Sequence, residues 1–307
     1  MSTLYPNIRI FDGNNVIPSG HVLTQDWHIS YVGVNPPATI PDNADDIDGT
    51  DKNWTLLPGL IDAHVHAYLL PGGGSEVFKT AMKCGVTSML DMHNDPDLVN
   101  RLKKECRDSS ELSDLKSSYH GATIDWGWPK PIVLVLDPSE ENVKRVDKWP
   151  KLTPETAEDF VVKNKAQGAD YIKLMQENGH CMSFHDLPPA SFELQSALVQ
   201  AARKHGLLTV AHATTLKETM IVLRAGVDGL AHTFCDQSPT PDLIALYKST
   251  GAFVIPTLCN IATINDAERD TTFAFAHDPR ITSRKAISAE EISCMSSSQG
   301  DCWIWWY

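Results

Sequence analysis

From Leu57 onward the sequence alternates between apolar runs of four to seven residues and helical patterns, and this rhythm limits the fold more than any other feature. Such alternation is typical of βα units on a parallel sheet. Seven strands are predicted, at residues 56–66, 85–92, 117–124, 170–175, 207–213, 227–233 and 252–258. We interpret the chain as an α/β protein, a (β/α)8 TIM-like barrel in which strand eight is missing.

The segments between the later strands carry helical patterns with recognisable ends. A helix is predicted to begin at Thr153-Pro154-Glu155, because a Thr cap, a Pro at the first helical position and an acidic residue satisfy exposed amide groups. This helix is expected to run to Gly168. Further helices are predicted at residues 191–206, 215–226 and 241–251.

Both ends of the chain depart from the barrel rhythm. Residues 1–56 hold short alternating segments separated by turn formers, which predicts a partial β-sandwich domain before the barrel of residues 57–282. Residues 283–307 form an atypical tail, in which a Ser-rich stretch precedes four aromatic residues among the last five. This tail fits no βα unit, so we interpret it as a truncated or mis-spliced end. An apolar tail packed onto the body is the alternative.

Charge and cysteine content narrow the partners and the compartment. The formal charge of −13 argues against nucleic acid and anionic membranes, because both are bound through basic surfaces. Seven cysteines without CxxC spacing follow neither a disulfide framework nor a zinc-finger pattern. The N-terminus lacks a signal-peptide pattern, and no stretch reaches the roughly 18 apolar residues of a membrane span. We therefore expect a cytoplasmic protein with reduced thiols.

The first predicted strand ends in a histidine pair, His64 and His66. Side chains alternate across the pleat of a strand, so histidines two residues apart point to the same face. This arrangement suits a metal ion. A coincidental pair, with one ring in the core and one in solvent, is the alternative for an isolated His-x-His.

Five chemically reactive side chains fall at or near the ends of predicted strands. They are His64 and His66 on strand one, Lys173 on strand four, His212 on strand five and His232 on strand six. In a parallel barrel the C-terminal strand ends form the active-site face. Taken singly, each has an ordinary explanation, either a histidine packed in the core or a lysine that reaches solvent along its aliphatic chain. Five in one register favour a shared site.

Four motifs carry a family resemblance: LLPGLIDAHVH, GADYIKLM, TVAHA and GVDGLAHT. They resemble strands one, four, five and six of the amidohydrolase superfamily of metal-dependent hydrolases. Within it, the chain resembles the imidazolonepropionase-like and prolidase-like dipeptidase group. The similarity covers residues 8 to about 282.

This resemblance implies a binuclear metal centre. His64 and His66 would bind one ion, His212 and His232 the second, and Lys173 would bridge both after carboxylation by carbon dioxide. Burial lowers the pKa of a lysine and yields the neutral amine that forms a carbamate. The ions are expected to be two zinc ions or similar divalent metals, and a metal-bound hydroxide would hydrolyse the C–N bond of an amide, peptide or cyclic amide. A deaminase of the same superfamily is the alternative reaction.

The family's last metal ligand, an aspartate at the end of strand eight, has no counterpart in this sequence. Asp228, Asp236 and Asp266 fall outside the motif. Without that carboxylate, acid–base help worth roughly 10²- to 10⁴-fold in rate would be lost. A truncated, catalytically inactive amidohydrolase-like protein is therefore the alternative to an active enzyme.

Two residues are predicted to be catalytic, His232 and His120. His120 resembles the position from which some relatives polarise the substrate carbonyl, although packing beside Tyr119 would also explain it. Residues 177–180 are expected to form either a loop over the site or an ordinary βα turn. Cys181 and Cys235 have no base partner that the sequence reveals. The expected partner is a small-molecule amide or dipeptide, and homo-oligomers are implied by the resemblance alone.

Overall fold

The computed structural model describes residues 1–67, 74–182, 187–258, 261–262 and 269–282. The chain divides into two compact units, Met1–Leu60 and Ile61–Tyr307. The predicted tail, residues 283–307, lies outside the described residues.

The first unit contains one five-stranded sheet. Its strands are β1 (Ser2–Phe11), β2 (Val16–Gln25), β3 (His28–Gly33), β4 (Asp45–Asp46) and β5 (Thr55–Leu56). The first three strands pair antiparallel, and β1 also pairs parallel with both β4 and β5. Alternating side chains bury Ile8, Ile10 and Val22 on one face of the sheet. The sequence-based expectation of a β unit before residue 57 therefore corresponds to a single sheet.

The described part of the second unit contains seven strands, which form two sheets. They are β6 (Leu60–Val65), β7 (Val86–Asp91), β8 (Asp114–Ser117), β9 (Ile172–Met175), β10 (Thr209–His212), β11 (Gly229–Ala231) and β12 (Phe253–Ile255). One sheet has the order β6-β7-β8 and the other the order β12-β11-β10-β9.

Backbone hydrogen bonds connect β8 and the segment after it to the second sheet. The Ser117 carbonyl at the end of β8 accepts from the Asp170 amide at 3.0 Å, and an isolated bridge follows at Ala122. Ala122 pairs parallel with Leu174 of β9, its amide donates to the Lys173 carbonyl at 2.7 Å, and its carbonyl accepts from the Met175 amide at 3.1 Å. The strands therefore follow one another in chain order from β6 to β12, and the predicted α/β class is confirmed. The described residues form sheets rather than a closed barrel, and none of them after Ile255 forms a strand.

Strand three differs from the prediction, which placed it at residues 117–124. The observed β8 ends at Ser117, and Tyr119 has a left-handed backbone with φ of 56°. The Ser117 hydroxyl accepts a hydrogen bond from the Tyr119 amide at 3.0 Å and donates to Asp91 Oδ2 at 2.8 Å. This local turn stops the strand, because a left-handed residue cannot continue a β ladder.

Ten α-helices are described in the second unit. They are α1 (Ser75–Lys83), α2 (Pro96–Asp108), α3 (Lys130–Leu136), α4 (Glu140–Asp147), α5 (Ala157–Gln167), α6 (Phe192–Lys204), α7 (Leu216–Ala225), α8 (Pro241–Thr250), α9 (Arg269–Ala276) and α10 (Pro279–Thr282). None of the described helices is long and apolar enough to cross a membrane.

Helix ends follow the chemistry of the sequence. The helix predicted to open at Thr153 begins with a 3-10 turn, Pro154–Thr156, continues as α5, and ends at Gly168 with φ of 99°. The Thr215 hydroxyl caps α7 by accepting from the Glu218 amide at 3.2 Å. These ends set the short connections that return the chain to the sheet.

The main core lies between the β9–β12 sheet and helices α5, α6 and α7. Strand β9 is buried at all four positions. Ile172 and Leu174 join the main hydrophobic cluster with Leu198 and Val222. Lys173 alternates with these two residues and therefore points to the other face of the sheet. That face carries the candidate site.

Candidate active site

His64 of β6 and His66, the residue after its end, face the same side. Their Nε2 atoms lie 3.3 Å apart, as the alternation of side chains predicts. Two nitrogens bound to one tetrahedral zinc at their usual bond lengths are also about 3.3 Å apart. The spacing of His64 and His66 therefore fits one shared ion.

Two further histidines continue this group. The ring centroids of His64 and His232 are 4.6 Å apart, and those of His232 and His212 are 4.8 Å apart. His232 has a φ of 75°, and its Nδ1 is hydrogen-bonded to Thr257 Oγ1 at 2.7 Å. This bond fixes the ring and leaves its Nε2 for another partner. The four imidazoles thus form one continuous cluster.

Lys173 lines the same cavity as His66, His212 and His232. Its side chain is 1% exposed, and its Nζ has no hydrogen-bond partner among the described residues. Burial lowers the pKa of Lys173 to about 7. A substantial fraction of the amine is therefore neutral near neutral pH and is able to act as a nucleophile.

The cluster histidines are held in the neutral form. Burial lowers the pKa of His66 to about 3, and it lowers the pKa of His64 and His232 well below the ordinary value. Burial also lowers the pKa of His212, although a hydrogen bond to Glu177 opposes this shift. Neutral imidazoles have the free lone pair that metal coordination requires.

A buried glutamate orients His212. Glu177 is 1% exposed and accepts hydrogen bonds from His212 Nε2 at 2.8 Å, Thr214 Oγ1 at 2.5 Å and the Gly179 amide at 2.7 Å. Burial opposes ionisation, but these hydrogen bonds outweigh it and place the pKa of Glu177 below its ordinary value. Because Nε2 carries the proton in this arrangement, Nδ1 is the nitrogen of His212 that remains for a ligand.

The segment at 177–180 is a turn that also contributes to the site. Gly179 has a left-handed backbone with φ of 82°, and Asn178 Oδ1 accepts from the His180 amide at 2.9 Å. The sequence analysis left two alternatives for these residues, a loop over the site and an ordinary βα turn. It did not identify the role of the Glu177 carboxylate. The signal available was a carboxylate two residues after the apolar strand that carries Lys173.

The described residues meet only part of a binuclear ligand set. They contain no group of three or more His, Cys, Asp or Glu side chains spaced to hold a metal ion. The His64–His66 pair matches one tetrahedral edge, and the partnerless Lys173 nitrogen is a buried polar atom that needs a partner. The histidines and the lysine are therefore donors of the type that metals bind. Among them, the His64–His66 pair also has the spacing that a shared metal requires.

His120 lies outside the set of residues that line the cavity. Its Nε2 is hydrogen-bonded to Asp95 Oδ1 at 2.9 Å, and Asp95 also accepts from Trp149 Nε1 at 3.1 Å and Arg145 Nη1 at 2.7 Å. The ring centroid of His120 is 5.9 Å from that of His93, a residue the sequence reasoning missed. The structure thus gives His120 a fixed partner, and its catalytic role stays a prediction.

The aspartates outside the family motif have structural partners. Asp228 Oδ2 accepts from the amide and hydroxyl of Thr209 at 2.8 Å, which places Asp228 at the start of β10, at the opposite end from His212. Asp236 Oδ1 accepts from the Leu216 amide at 2.9 Å and so binds the start of α7. Asp266 lies outside the described residues.

The two cysteines near the site share one backbone acceptor. The Sγ atoms of Cys181 and Cys235 lie 3.4 Å and 3.7 Å from the Thr214 carbonyl oxygen. Contact with Cys235 and burial raise the pKa of the Cys181 thiol. A raised thiol pKa lowers the thiolate fraction, which argues against Cys181 as a nucleophile.

Apolar side chains complete the cavity. The lining includes Trp128, Pro129, Ile132, Val133, Leu136 and Met175. The indole of Trp128 stacks on the His212 ring, with centroids 5.3 Å apart and planes 26° apart. The lining thus has a polar part, Lys173 and the histidines, and an apolar part formed mainly by Trp128 and residues of α3.

A family model described as amidohydrolase family matches residues 55–293. The chain belongs to the amidohydrolase family. The resemblance read from the sequence motifs is confirmed, and so is the prediction of a hydrolase that acts on carbon–nitrogen bonds. A search of curated proteins found no match.

Solved structures support the fold. The chain is 19% identical to a Xaa-Pro dipeptidase, covering 95% of this chain and 75% of that one, with a TM-score of 0.66. It is 16% identical to molinate hydrolase, covering 99% and 79%, with a TM-score of 0.70. It is 17% identical to phenylurea hydrolase B, covering 83% and 64%, with a TM-score of 0.69. At these identities the likeness concerns the fold alone.

Proposed function

We propose that this amidohydrolase is metal-dependent and hydrolyses the C–N bond of a small-molecule amide, peptide or cyclic amide. We also propose that β6 to β12 are the first seven strands of a TIM-like barrel. In this proposal residues 1–56 form a partial β-sandwich domain, residues 57–282 the barrel, and residues 283–307 an atypical tail. The single observation that carries the functional proposal is Lys173, a buried amine without a hydrogen-bond partner among the described residues that shares a cavity with three histidines.

An isolated buried ammonium costs several kcal/mol, so a lysine in this position needs a compensating chemistry. The neutral amine adds to carbon dioxide, forms a carbamate and releases one proton. The product is an anion with two oxygens, and it suits a pair of divalent cations. Carboxylation of Lys173 would thus convert an unfavourable buried base into a metal ligand.

The other ligands follow from the spacing of one histidine pair and from the hydrogen bonds of His212 and His232. His64 and His66 would hold one ion through Nε2, whose spacing matches a shared zinc. His212 through Nδ1 and His232 through Nε2 would hold the second, since their other nitrogens bond Glu177 and Thr257. When bound, the metals would polarise a carbonyl and lower the pKa of water. Glu177 would hold His212 in one tautomer, and the apolar side of the cavity would exclude bulk water.

The test combines metal analysis with turnover. Zinc content of the purified chain is measured by mass spectrometry, and dipeptides, N-acyl amino acids and cyclic amides are screened as substrates. We expect about two zinc ions per chain and turnover of at least one amide class. Lys173→Met should lose both, whereas Lys163→Met, the same change at an exposed lysine of α5, should retain both.

Substoichiometric zinc without turnover would contradict the proposal. That result would favour the second candidate, an inactive amidohydrolase-like protein. The observation in its favour is that the described residues hold no three-residue cluster spaced for a metal.

A further inference from the structure

We propose that the apolar side of the cavity selects substrates whose group next to the scissile C–N bond is apolar and uncharged. This inference rests on the proposed function and names its substrate class. We call the surface formed by Trp128, Ile132, Val133 and Leu136 the α3 wall.

The α3 wall is a packed surface that faces the reactive residues. Its members line the cavity that also contains Lys173, His66, His212 and His232. Trp128, Ile132 and Val133 are each no more than 5% exposed, and they pack against Val146 and Trp149. An apolar group in this cavity would leave water for an already apolar surface, which favours binding by about 0.8 kcal/mol per buried methylene.

The backbone of the α3 wall is fixed at both ends. Lys130 Nζ donates to the carbonyls of Ile124 at 2.9 Å and Pro150 at 3.0 Å. Asn142 Nδ2 donates to the carbonyls of Val133 at 3.2 Å and Asp137 at 2.5 Å. These bonds hold the backbone of α3 in one conformation, so little backbone entropy is lost when a substrate packs against the α3 wall.

Cationic groups on the adjoining helices are already engaged. The Lys130 ammonium is held by its two carbonyls, and Arg145 donates to Asp95 and Asn142. Apart from Lys173, the lining contains no Lys or Arg among the described residues. Away from Lys173, a carboxylate on a group facing the α3 wall would therefore lose hydration without gaining an ion pair from the described side chains.

The test uses anilides that share one scissile bond. The p-nitroanilides of acetic, butanoic and pentanoic acid vary apolar length, and the glutaryl anilide matches the pentanoyl anilide in carbon number but ends in a carboxylate. We expect kcat/KM to rise about three- to fourfold per methylene from acetyl to pentanoyl. The pentanoyl anilide should exceed the glutaryl anilide by at least about tenfold.

Variants on one helix provide the matched comparison. Ile132→Ala should reduce kcat/KM for the pentanoyl anilide by about tenfold and change the acetyl value less than about twofold. Val135→Ala, on the same helix but 66% exposed, should change neither. Ile132→Arg should raise the glutaryl value relative to the pentanoyl value, because it supplies the missing cation.

A binding measurement separates this inference from the proposed function. Ketones in which a methylene replaces the anilide nitrogen have no C–N bond to hydrolyse, and their affinities are measured by calorimetry. Chain-length selectivity that Ile132→Ala abolishes, without hydrolysis of any anilide, would support the α3 wall and contradict only the proposed function. Equal affinities across the ketone series, or a glutaryl rate that matches the pentanoyl rate, would overturn the inference.

Discussion

Replacing Glu177 by glutamine tests how the site is held together. The carboxylate accepts three hydrogen bonds, from His212 Nε2, Thr214 Oγ1 and the Gly179 amide. A glutamine keeps the size of the side chain but turns one acceptor oxygen into a donor and removes the charge. If its oxygen stays with Gly179, the new NH2 group faces the His212 N–H. The Thr214 hydroxyl can rotate to accept, but the histidine must lose its bond or change tautomer.

The size of the effect follows from these contacts. A hydrogen bond to a charged group contributes about 1.5–3 kcal/mol, and a buried donor left unpaired costs about 1–3 kcal/mol. We therefore expect Glu177→Gln to lower the free energy of unfolding by about 2–3 kcal/mol. In a unit of this size that corresponds to a decrease in Tm of roughly 4–12 °C. Loss of the orienting bond should also weaken zinc binding by about 10- to 100-fold.

The assay pairs thermal unfolding of the metal-free protein with zinc affinity measured by chelator competition. Glu218→Gln is the matched control, because Glu218 is also 1% exposed but accepts from Gln176 and Asn178 rather than from His212. The control should lose stability and keep its zinc affinity. The reasoning is refuted if Glu177→Gln binds zinc as tightly as the unchanged protein, or if both variants lose affinity equally.

Three further predictions concern groups away from the cluster. Burial raises the pKa of Asp91 from 3.8 to about 7. The contribution of its bound proton to the free energy of unfolding is therefore complete below about pH 4 and is lost as pH rises to 7. In chemical denaturation across this pH range, Asp91→Asn should lack the decrease. Leu198→Ala, at a core position 1% exposed, should lower the free energy of unfolding by about 2–5 kcal/mol, and Val162→Ala, at a position 44% exposed, by less than about 0.5 kcal/mol. Burial raises the pKa of Cys106 to about 11, so mass-spectrometric labelling with a thiol reagent should find Cys106 slower than the exposed Cys84 at pH 8, and labelling of both at one rate would contradict this.

Sequence reasoning located the strands and helices after residue 153 well, because their patterns and caps are local. Helices α1 to α4 were not predicted. In α3 the run IVLVL is rich in β-branched residues, so its local preference is for a strand. Its helical form depends on packing against Val146 and Trp149, which lie outside α3. The local sequence of α3 therefore does not predict a helix.

The candidate site was predictable where it depends on strand ends and unpredictable where it depends on loops. His212 and Lys173 share a cavity because β9 and β10 are paired in parallel register. The Glu177 contact and the stacking of Trp128 on His212 require particular turn conformations after β9 and before α3. Side-chain spacing in one sequence does not encode those conformations.

Lys173, which the proposed chemistry requires, also favours the correct register of β9. In the observed register Lys173 lies opposite Val210, with Ile172 and Leu174 in the aliphatic layer under the helices. A slip of one residue would exchange the two faces of the strand. The amine would then enter the aliphatic layer, away from the histidines, and a leucine would occupy the reactive cavity. A strand in the wrong register would thus be unfavourable both for packing and for the site. One side chain, Lys173, therefore contributes to correct folding and to the candidate site.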